Sequence, residues 1–463
     1  MTIDVLHDDV LVEIFFYVNF RDWDTTMQNQ WYALVHVCRR WRYIVFASPR
    51  RLNLRLEYRG HGPISEVLDP WPVLPVILRL SASHPKSGRR WNNIVAALES
   101  EHYNRICEIH IFYPTNSRFQ RFSAAMQKPF PELTRLEVVR NGDVMPVLPD
   151  SFLGESAPRL RDLRLQGISF PSMPKLLLSA NGLVTLDLWD IPDSGYFSPD
   201  ALATALAVMT RLETLHLGLV LRFRPDTISR PRPPPTRFVL PAFTKLMFGG
   251  VYEYLEDLLA RIDVPLLYDL NVIIPMDLNF DVPQLRRLIS HAEEFKTFDH
   301  AEMSISDRST GLRLYPKTRV FDHPRLLQLR IVGTEFDRQL SSLAQVCSSS
   351  FPLISALEEL EIMEDDHILS SHWRDDMVDT QWLELLGPFT ALKSLYLSGE
   401  IARRVCGALQ ELSGERATEV LPALRNIFVD GFRSFEHTQE AMMPFVTARQ
   451  LSGLPMVVDR WDD

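Results

Sequence analysis

The side chains best suited to chemistry in this sequence are gathered between residues 364 and 376. This run, EDDHILSSHWRDD, holds two imidazoles among several carboxylates, which could bind a divalent cation or share protons during hydrolysis. Its spacing matches no closed zinc site, and nothing in the pattern positions a substrate between the carboxylates. We therefore interpret 364–376 as a solvated acidic loop, and we expect neither a metal site nor a cofactor.

The chain shows no other signature of catalysis. It contains no Gly-rich phosphate loop, G-x-S-x-G elbow, H-E-x-x-H helix or EF-hand string. The four cysteines are far apart and form no C-x-x-C pair, which favours buried or free thiols in a reducing compartment. Of these, Cys38 is predicted to lie in a helical core. We expect no catalytic residues and no enzyme; an α/β hydrolase is the alternative, and it lacks an identifiable nucleophile.

Composition narrows the possible partners. The 463 residues are 46% hydrophobic and 23% charged, as in ordinary globular proteins, and 49 basic minus 59 acidic residues give a net charge of −10. This balance does not favour nucleic acid or an anionic membrane surface. There is no apolar run long enough to cross a bilayer, and the first residues lack the pattern of a secretory signal. We expect a cytoplasmic or nuclear protein that binds neither nucleic acid nor membrane.

Positions in the first 50 residues follow helical periodicity. Apolar side chains from Val10 to Val18 mark one amphipathic helix, and a second run from Leu34 to Val45 ends at Ser48-Pro49. The arginines between residues 39 and 42 fall on the opposite, solvated face of the second run. Two such helices bury little apolar surface alone, so the segment is expected to bind a partner protein.

The two blocks LHDDVLVEIF, residues 6–15, and LVHVCRRWR, residues 34–42, resemble an F-box, although His7 stands where that family usually has proline. The continuation from Ser48 to Leu56 resembles basidiomycete fungal F-box proteins. The resemblance implies binding to the Skp adaptor of a cullin-type ubiquitin ligase. The adaptor-binding residues that it implies are Leu6, Val10, Leu11, Ile14, Phe15, Leu34 and Val37. The alternative is that these residues form the private core of a helical subdomain that docks on the rest of the chain.

Beyond residue 100 the chain repeats the string Leu-x-x-Leu-x-Leu, with other apolar residues at some positions. Each string predicts a short strand, and the residues between strings predict a returning helix or irregular segment. Eleven strings begin at Ile106, Leu133, Leu160, Leu183, Leu212, Phe243, Leu267, Leu326, Leu357, Leu392 and Leu424. The widest gap, between the seventh and eighth, is two repeats long, and residues 298–305 supply a degenerate strand inside it.

No repeat can bury its strand alone, so the strands are predicted to stack into a parallel sheet. The pattern resembles leucine-rich repeats, without the usual Asn or Cys after the last leucine. We therefore predict an α/β fold with an F-box-like helical module at 1–50, a junction and N-terminal cap at 51–100, and a degenerate leucine-rich-repeat solenoid at 101–463. The alternative is that the strings are ordinary strands of an α/β enzyme. The proline-rich stretch 230–235 is predicted to be an inserted loop, with a polyproline ligand as the alternative.

Residues between or just after the last two leucines of a string should face the concave side of such a sheet. These predicted substrate-binding residues are Arg164, Asp187, Trp189, His216, Asn271, Arg330, Glu361, Tyr396 and Phe428. Because residues 39–59 are basic, the negative charge must lie on the repeats, which favours a partner with a basic surface. Together these features predict a substrate-recognition adaptor of an SCF-like ubiquitin ligase. The alternative is a stand-alone repeat scaffold without a ligase link.

Overall fold

The structure is a computed structural model. It describes residues 6–20, 31–81, 87–140, 142, 146–220, 237–275, 282–306, 308–317, 326–333, 335–350, 352–364, 380–412, 418–430 and 432–461. Two compact units make up the chain: Met1–Phe197 with Val208–Leu212, and Ser198–Ala207 with Glu213–Asp463.

The first unit begins with three helices, α1 (Asp8–Phe20), α2 (Trp31–Val37) and α3 (Arg39–Ala47). The sequence predicted one helix across the last two, and this was wrong because the backbone at Cys38 is extended. The Cys38 sulfur accepts a hydrogen bond from the Trp41 amide at 3.4 Å and so caps the start of α3. Cys38 is therefore exposed at a helix junction instead of lying in the core.

The rest of the first unit alternates strands with helices or irregular returns. Its elements are β1 (Leu56–Tyr58), α4 (Ile64–Leu68), β2 (Val76–Ser81), α5 (Ser87–Glu99), β3 (Ile106–Phe112), α6 (Asn116–Ala125), β4 (Arg135–Val139), β5 (Asp162–Gln166), α7 (Met173–Ser179) and β6 (Thr185–Pro192). The six strands pair in parallel and in chain order. The repeat pattern predicted this for β3 to β6, and β1 and β2 continue the same pairing into residues 51–100.

Leucines in matched register hold these strands together. Leu136, Leu163 and Leu186 are partners on adjacent strands, and each is at most 1% exposed. Burial of each such side chain contributes about 1.5–3 kcal/mol, which no single repeat could obtain without its neighbours. The residues between the leucines therefore point to the opposite face of the sheet.

The second unit continues the same alternation. Its elements are α8 (Pro199–Leu206), β7 (Thr214–Val220), β8 (Phe238–Val239), β9 (Lys245–Gly249), α9 (Tyr252–Leu259), β10 (Ile262–Asp263), β11 (Asp269–Pro275), α10 (Pro283–His291), β12 (His300–Ile305), β13 (Ser309–Tyr315), β14 (Leu326–Val332), α11 (Phe336–Ser350), β15 (Glu359–Glu364), α12 (Thr380–Leu386), β16 (Ser394–Leu397), α13 (Gly399–Gln410), β17 (Asn426–Asp430), α14 (Phe432–Leu451) and β18 (Val457–Trp461). The strands of its main sheet follow the order β7-β9-β11-β14-β13-β12-β15-β16-β17-β18, while β8 and β10 pair separately.

The wide gap in the repeats is filled by an antiparallel meander, which the sequence did not predict. Strand β12, the degenerate strand, pairs in parallel with β15. On its other side β12 pairs antiparallel with β13, and β13 pairs antiparallel with β14. Strand β14 then pairs in parallel with β11. A tight turn joins β12 to β13, with the Ser309 amide donating to the Ser306 hydroxyl at 3.1 Å. A Cβ at Gly311 would lie 2.9 Å from the Ser304 hydroxyl, so glycine permits this close pairing.

All eleven repeat strings form strands, and the predicted α/β fold with a mostly parallel sheet of leucine-rich-repeat type is confirmed. The single antiparallel strand, β13, is the exception to the parallel pairing in the main sheet of the described residues. Within the described ranges, no helix has both the length and the apolar character needed to cross a membrane.

Candidate protein-interaction surfaces

Basic residues fasten the N-terminal helices to one another. Arg40 on α3 donates to the Asp8 carboxylate of α1 at 2.7 Å and also to the Leu6 carbonyl. Arg51 forms an ion pair with Glu13. The Arg40 side chain is 37% exposed, which fits its predicted place on the solvated side of the helix, and its guanidinium also joins α3 to α1.

The residues implied as adaptor-binding divide into two groups. Leu11, Phe15 and Leu34 are 0%, 1% and 7% exposed, and the Phe15 ring packs 4.7 Å from the Trp41 ring. They belong to the core of the helical segment, so a rigid partner could not contact them. Val10, Ile14 and Val37 are exposed, and Leu6 is partly exposed.

The exposed apolar residues of α1 form a continuous stripe. Val10, Ile14 and Tyr17 follow the i, i+4, i+7 spacing of one helix face, and Tyr17 is 69% exposed. Tyr43 on α3 is 73% exposed. Neither tyrosine is among the adaptor-binding residues that the F-box resemblance implied. We call Val10, Ile14 and Tyr17 the α1 stripe.

The helical segment also packs against residues 51–100. The Trp31 indole nitrogen donates to the Arg55 carbonyl at 3.2 Å, and its ring meets the Trp71 ring edge to face at 5.5 Å. The Arg55 guanidinium in turn forms an ion pair with Glu108 on β3. The helices are thus attached to the first strands of the repeats by both aromatic and charged contacts.

The nine predicted concave-face residues all lie on strands, and each is at least partly exposed while the apolar residues beside it are buried. The alternation that placed them on one face of the strands is therefore correct. Whether they bind a partner stays a prediction. Two of them, Arg164 and Asp187, belong to a row of charged side chains in the first unit, and three belong to or adjoin an aromatic cluster in the second.

The first-unit row begins at a histidine held between two glutamates. His110 Nδ1 lies 2.9 Å from Glu137, and Nε2 lies 3.1 Å from Glu108. Arg164 then links Glu137, at 3.3 Å, to Asp187, at 3.4 Å. We call these five residues the charged row. Each of its charges faces an opposite charge within the row.

The charged row is buried at its centre. His110 is 3% exposed, and each of its ring nitrogens lies within hydrogen-bonding distance of a carboxylate. Burial works to raise the pKa of Glu137, but the hydrogen bond and charge of His110, with the charge of Arg164, hold that pKa below its usual value. This arrangement gives each charged side chain of the row a partner of opposite charge at its buried centre.

Sequence reasoning missed Glu108, His110 and Glu137, although a signal for two of them existed. His110 stands between Ile109 and Ile111 in the position that identified Arg164, and Glu137 stands likewise between two apolar residues. The pattern places a residue on this face of a strand but does not reveal that neighbouring strands carry opposite charges.

In the second unit an aromatic pair occupies the equivalent face. Tyr396 and Phe428 are cross-strand partners whose rings stack at 4.8 Å with planes 15° apart. Trp461 approaches Tyr396 edge to face at 5.5 Å. The register places Glu361 beside Tyr396 and Asp459 beside Phe428. We call Glu361, Tyr396, Phe428, Asp459 and Trp461 the aromatic row.

The carboxylates in and beside the aromatic row differ in how closely basic side chains approach them. Glu302 receives a hydrogen bond from Arg313 at 2.7 Å, and Glu359 contacts both Lys317 and His300, the latter at 3.2 Å. Within the part of the chain that the structure describes, the basic side chain nearest to Glu361 is His300, at 3.9 Å. Burial, followed by the charge of Glu359, raises the pKa of Tyr396, so its phenol stays protonated at neutral pH.

The remaining predicted surface residues, Trp189, His216, Asn271 and Arg330, are each partly exposed. Beside them on β11, burial raises the pKa of Asp269, while the charges of Lys245 and His216 oppose that rise.

The loops singled out in the sequence lie largely outside the described residues. The proline-rich stretch 230–235 and residues 365–376 of the acidic run fall in ranges that the structure does not describe. Glu364 ends β15, and its carboxylate accepts from the Ile401 amide at 3.2 Å. Among the residues described, no group of His, Cys, Asp or Glu side chains is arranged to hold a metal ion.

Three of the cysteines are buried thiols. Burial raises the pKa of Cys347 and of Cys406 to about 12, so both stay protonated and unreactive at neutral pH. Burial likewise raises the pKa of Cys107. None of these three thiols has the properties of a nucleophile.

Neither the known family models nor the curated proteins include a match to this chain. Among solved structures, the chain is similar to the leucine-rich repeat-containing protein LegL7 from Legionella pneumophila. The sequences are 10% identical, the alignment covers 87% of this chain and 99% of that protein, and the TM-score is 0.24.

Proposed function

We propose that this chain is a substrate-recognition adaptor of a cullin-type ubiquitin ligase. In this role the N-terminal helices bind the Skp adaptor, and the repeats bind a protein substrate in the cytoplasm or nucleus. The observation that carries the proposal is the α1 stripe, an exposed apolar face within the segment that resembles an F-box. The exposed sheet faces of the repeats supply side chains for recognition.

The proposed mechanism is proximity. The chain would hold its substrate near a conjugating enzyme carried by the ligase, which raises the effective concentration of the reacting groups. No bond would be made or broken by the chain itself. The repeats suit this task because side chains from successive strands form one extended surface.

Substitution in the α1 stripe tests the adaptor role. Ile14→Asp places a charge on an exposed position, so the fold should persist while binding to purified Skp-type adaptor falls by about tenfold or more. Leu178→Asp is the matched control, because Leu178 is an exposed leucine on α7. Leu11 and Phe15 are unsuitable targets because their burial would make a charge unfold the helices. Unchanged binding of Ile14→Asp, or no binding by the unaltered chain, contradicts the proposal.

A second candidate function is a stand-alone scaffold whose N-terminal helices cap the first repeats. The contacts of Trp31 with Trp71 and with the Arg55 carbonyl favour it. Removal of residues 1–50 would then lower the melting temperature of the remaining repeats by several degrees, as loss of a cap exposes their apolar end. An unchanged melting temperature, measured by circular dichroism, would exclude the cap.

A further inference from the structure

The aromatic row combines flat rings with a carboxylate at each side. Tyr396 and Phe428 are partly exposed and stack in parallel, so the ring faces that meet are covered and the outer faces and edges of the pair remain for a partner. Glu361 and Asp459 flank the stacked pair, because Glu361 is the register partner of Tyr396 and Asp459 is that of Phe428. Trp461, two residues after Asp459 on β18, lies on the same side of the strand and closes one end.

The negative charge beside these rings is incompletely balanced. Glu361 is the register partner of Glu302, and like charges directly opposite each other destabilise a sheet. Arg313 forms an ion pair with Glu302, and Lys317 forms one with Glu359. Among the described residues, the nearest basic side-chain atom to Glu361 is His300 Nε2, 3.9 Å away. A cation placed over Tyr396 would therefore meet both a π face and a carboxylate that attracts it.

We propose that the aromatic row binds an arginine side chain from a basic segment of a protein partner. The inference rests on the proposed recognition role of the repeats and specifies the chemistry of the partner. A guanidinium is planar and weakly hydrated, so it stacks on aromatic rings while donating to a carboxylate at its edge. A lysine ammonium offers the charge without the plane, and it binds more weakly at this site.

The test measures fluorescence anisotropy of a labelled arginine–glycine peptide with the full-length chain. Two matched peptides carry citrulline or lysine in place of arginine; citrulline keeps the size and plane of the group but not its charge. We expect the arginine peptide to bind about tenfold more tightly than the citrulline peptide, with the lysine peptide between them. Equal binding of the arginine and citrulline peptides, or no saturable binding of the arginine peptide, overturns the proposal.

Protein variants locate the binding. Glu361→Gln and Phe428→Leu should each weaken arginine-peptide binding by about fivefold or more, since each removes one partner of the guanidinium. Glu384→Gln, which removes an exposed carboxylate from α12, is the control and should leave binding unchanged. Equal effects of Glu361→Gln and Glu384→Gln would mean that only net charge matters, and this also overturns the proposal.

The failure of this inference is distinguishable from failure of the adaptor role. Ile14→Asp should leave peptide binding unchanged, because the α1 stripe lies on a separate element. If the chain binds the peptide but not Skp, the adaptor role fails and the arginine site stands. If it binds Skp but shows no preference for arginine, the arginine site fails and the adaptor role stands.

Discussion

The charged row of the first unit and the aromatic row of the second use equivalent positions of the repeat strings, yet their chemistry differs. In the charged row, His110 is 3% exposed and each charge faces an opposite charge within the row. In the aromatic row, stacked rings lie beside Glu361, whose nearest basic side chain among the described residues is His300, at 3.9 Å.

This difference suggests that the charged row mainly serves folding stability, whereas the aromatic row mainly serves recognition of a partner. Removing one member of a buried, hydrogen-bonded cluster such as the centre of the charged row is strongly destabilising, because its partners are left buried without compensation. Partly exposed rings beside a poorly balanced carboxylate cost little to alter, and they carry the properties of an interface anchor. Substitutions in the two rows should therefore have opposite consequences for folding and binding.

The largest expected effect is on the charged row. His110→Leu leaves Glu108 and Glu137 buried without the imidazole that hydrogen-bonds to both, and it should lower the free energy of unfolding of the first unit by about 3 kcal/mol. Urea denaturation with hydrogen exchange at β3 and β4 measures this change. The control Arg164→Gln, at a side chain 48% exposed, should cost less than about 1 kcal/mol. Equal costs for the two variants would contradict the assignment of His110 to a buried ionic centre.

The two units should also respond oppositely to acid through two of their carboxyl groups. The pKa of Glu137 is lowered in the folded chain, so its stabilising contribution is full above its unfolded pKa of about 4.3 and is lost as pH falls through the lower folded value. The pKa of Asp269 is raised by burial, so its cost is full above the folded value and disappears as pH falls below its unfolded pKa of about 3.9.

Hydrogen exchange between about pH 6 and pH 3 can read these responses strand by strand. Glu137→Gln should reduce the acid-induced loss of protection in β4, whereas Asp269→Asn should increase the loss in β11. The same sign for both variants would show that these carboxyl groups do not set the difference.

A smaller effect is expected from the stacked rings. Tyr396→Ala should cost about 1 kcal/mol of folding free energy, because it removes an aromatic pair from a partly exposed surface. Thermal unfolding measures it, with the exposed Tyr43→Ala on α3 as a tyrosine control of smaller effect. A loss as large as that of His110→Leu would place the aromatic row in the core instead of on a surface.

The smallest effect, and the one of opposite sign, belongs to Glu361→Gln. Removing this charge relieves its repulsion with Glu302, so stability should be unchanged or rise by a few tenths of a kcal/mol while arginine-peptide binding falls. Chemical denaturation measures the free energy of unfolding, and the anisotropy assay on the same sample measures the affinity for the arginine peptide. Destabilisation by about 1 kcal/mol or more would show that Glu361 is a structural residue.

The sequence predicted a strand at each of the eleven strings, but it did not predict the order in which β12, β13 and β14 pair. The Leu-x-x-Leu-x-Leu spacing identifies a buried strand face because Leu136, Leu163 and Leu186 must align to be buried. The β12–β13–β14 meander was not predicted, because β13 lacks that spacing. Its pairing depends on the hydrogen bond between Ser306 and Ser309 and on the absence of a side chain at Gly311.

The candidate surfaces were predicted in part, for a physical reason. Alternation along a strand places Tyr396 and Phe428 on the exposed face, but it cannot show that their rings stack across strands. Helical periodicity likewise gave Leu11 and Val10 equal weight, although packing against Trp41 and its neighbours buries one side of α1 and exposes the other. Long-range packing decides these outcomes, and a local pattern does not contain it.

The most direct test of the account is assembly of a three-part complex. Skp-type adaptor is immobilised, the full-length chain is added, and retention of the labelled arginine–glycine peptide is measured. The account predicts that the peptide is retained only when the chain is present, that Ile14→Asp removes both chain and peptide, and that Glu361→Gln removes the peptide alone. Failure of the adaptor to retain the unaltered chain would contradict the account.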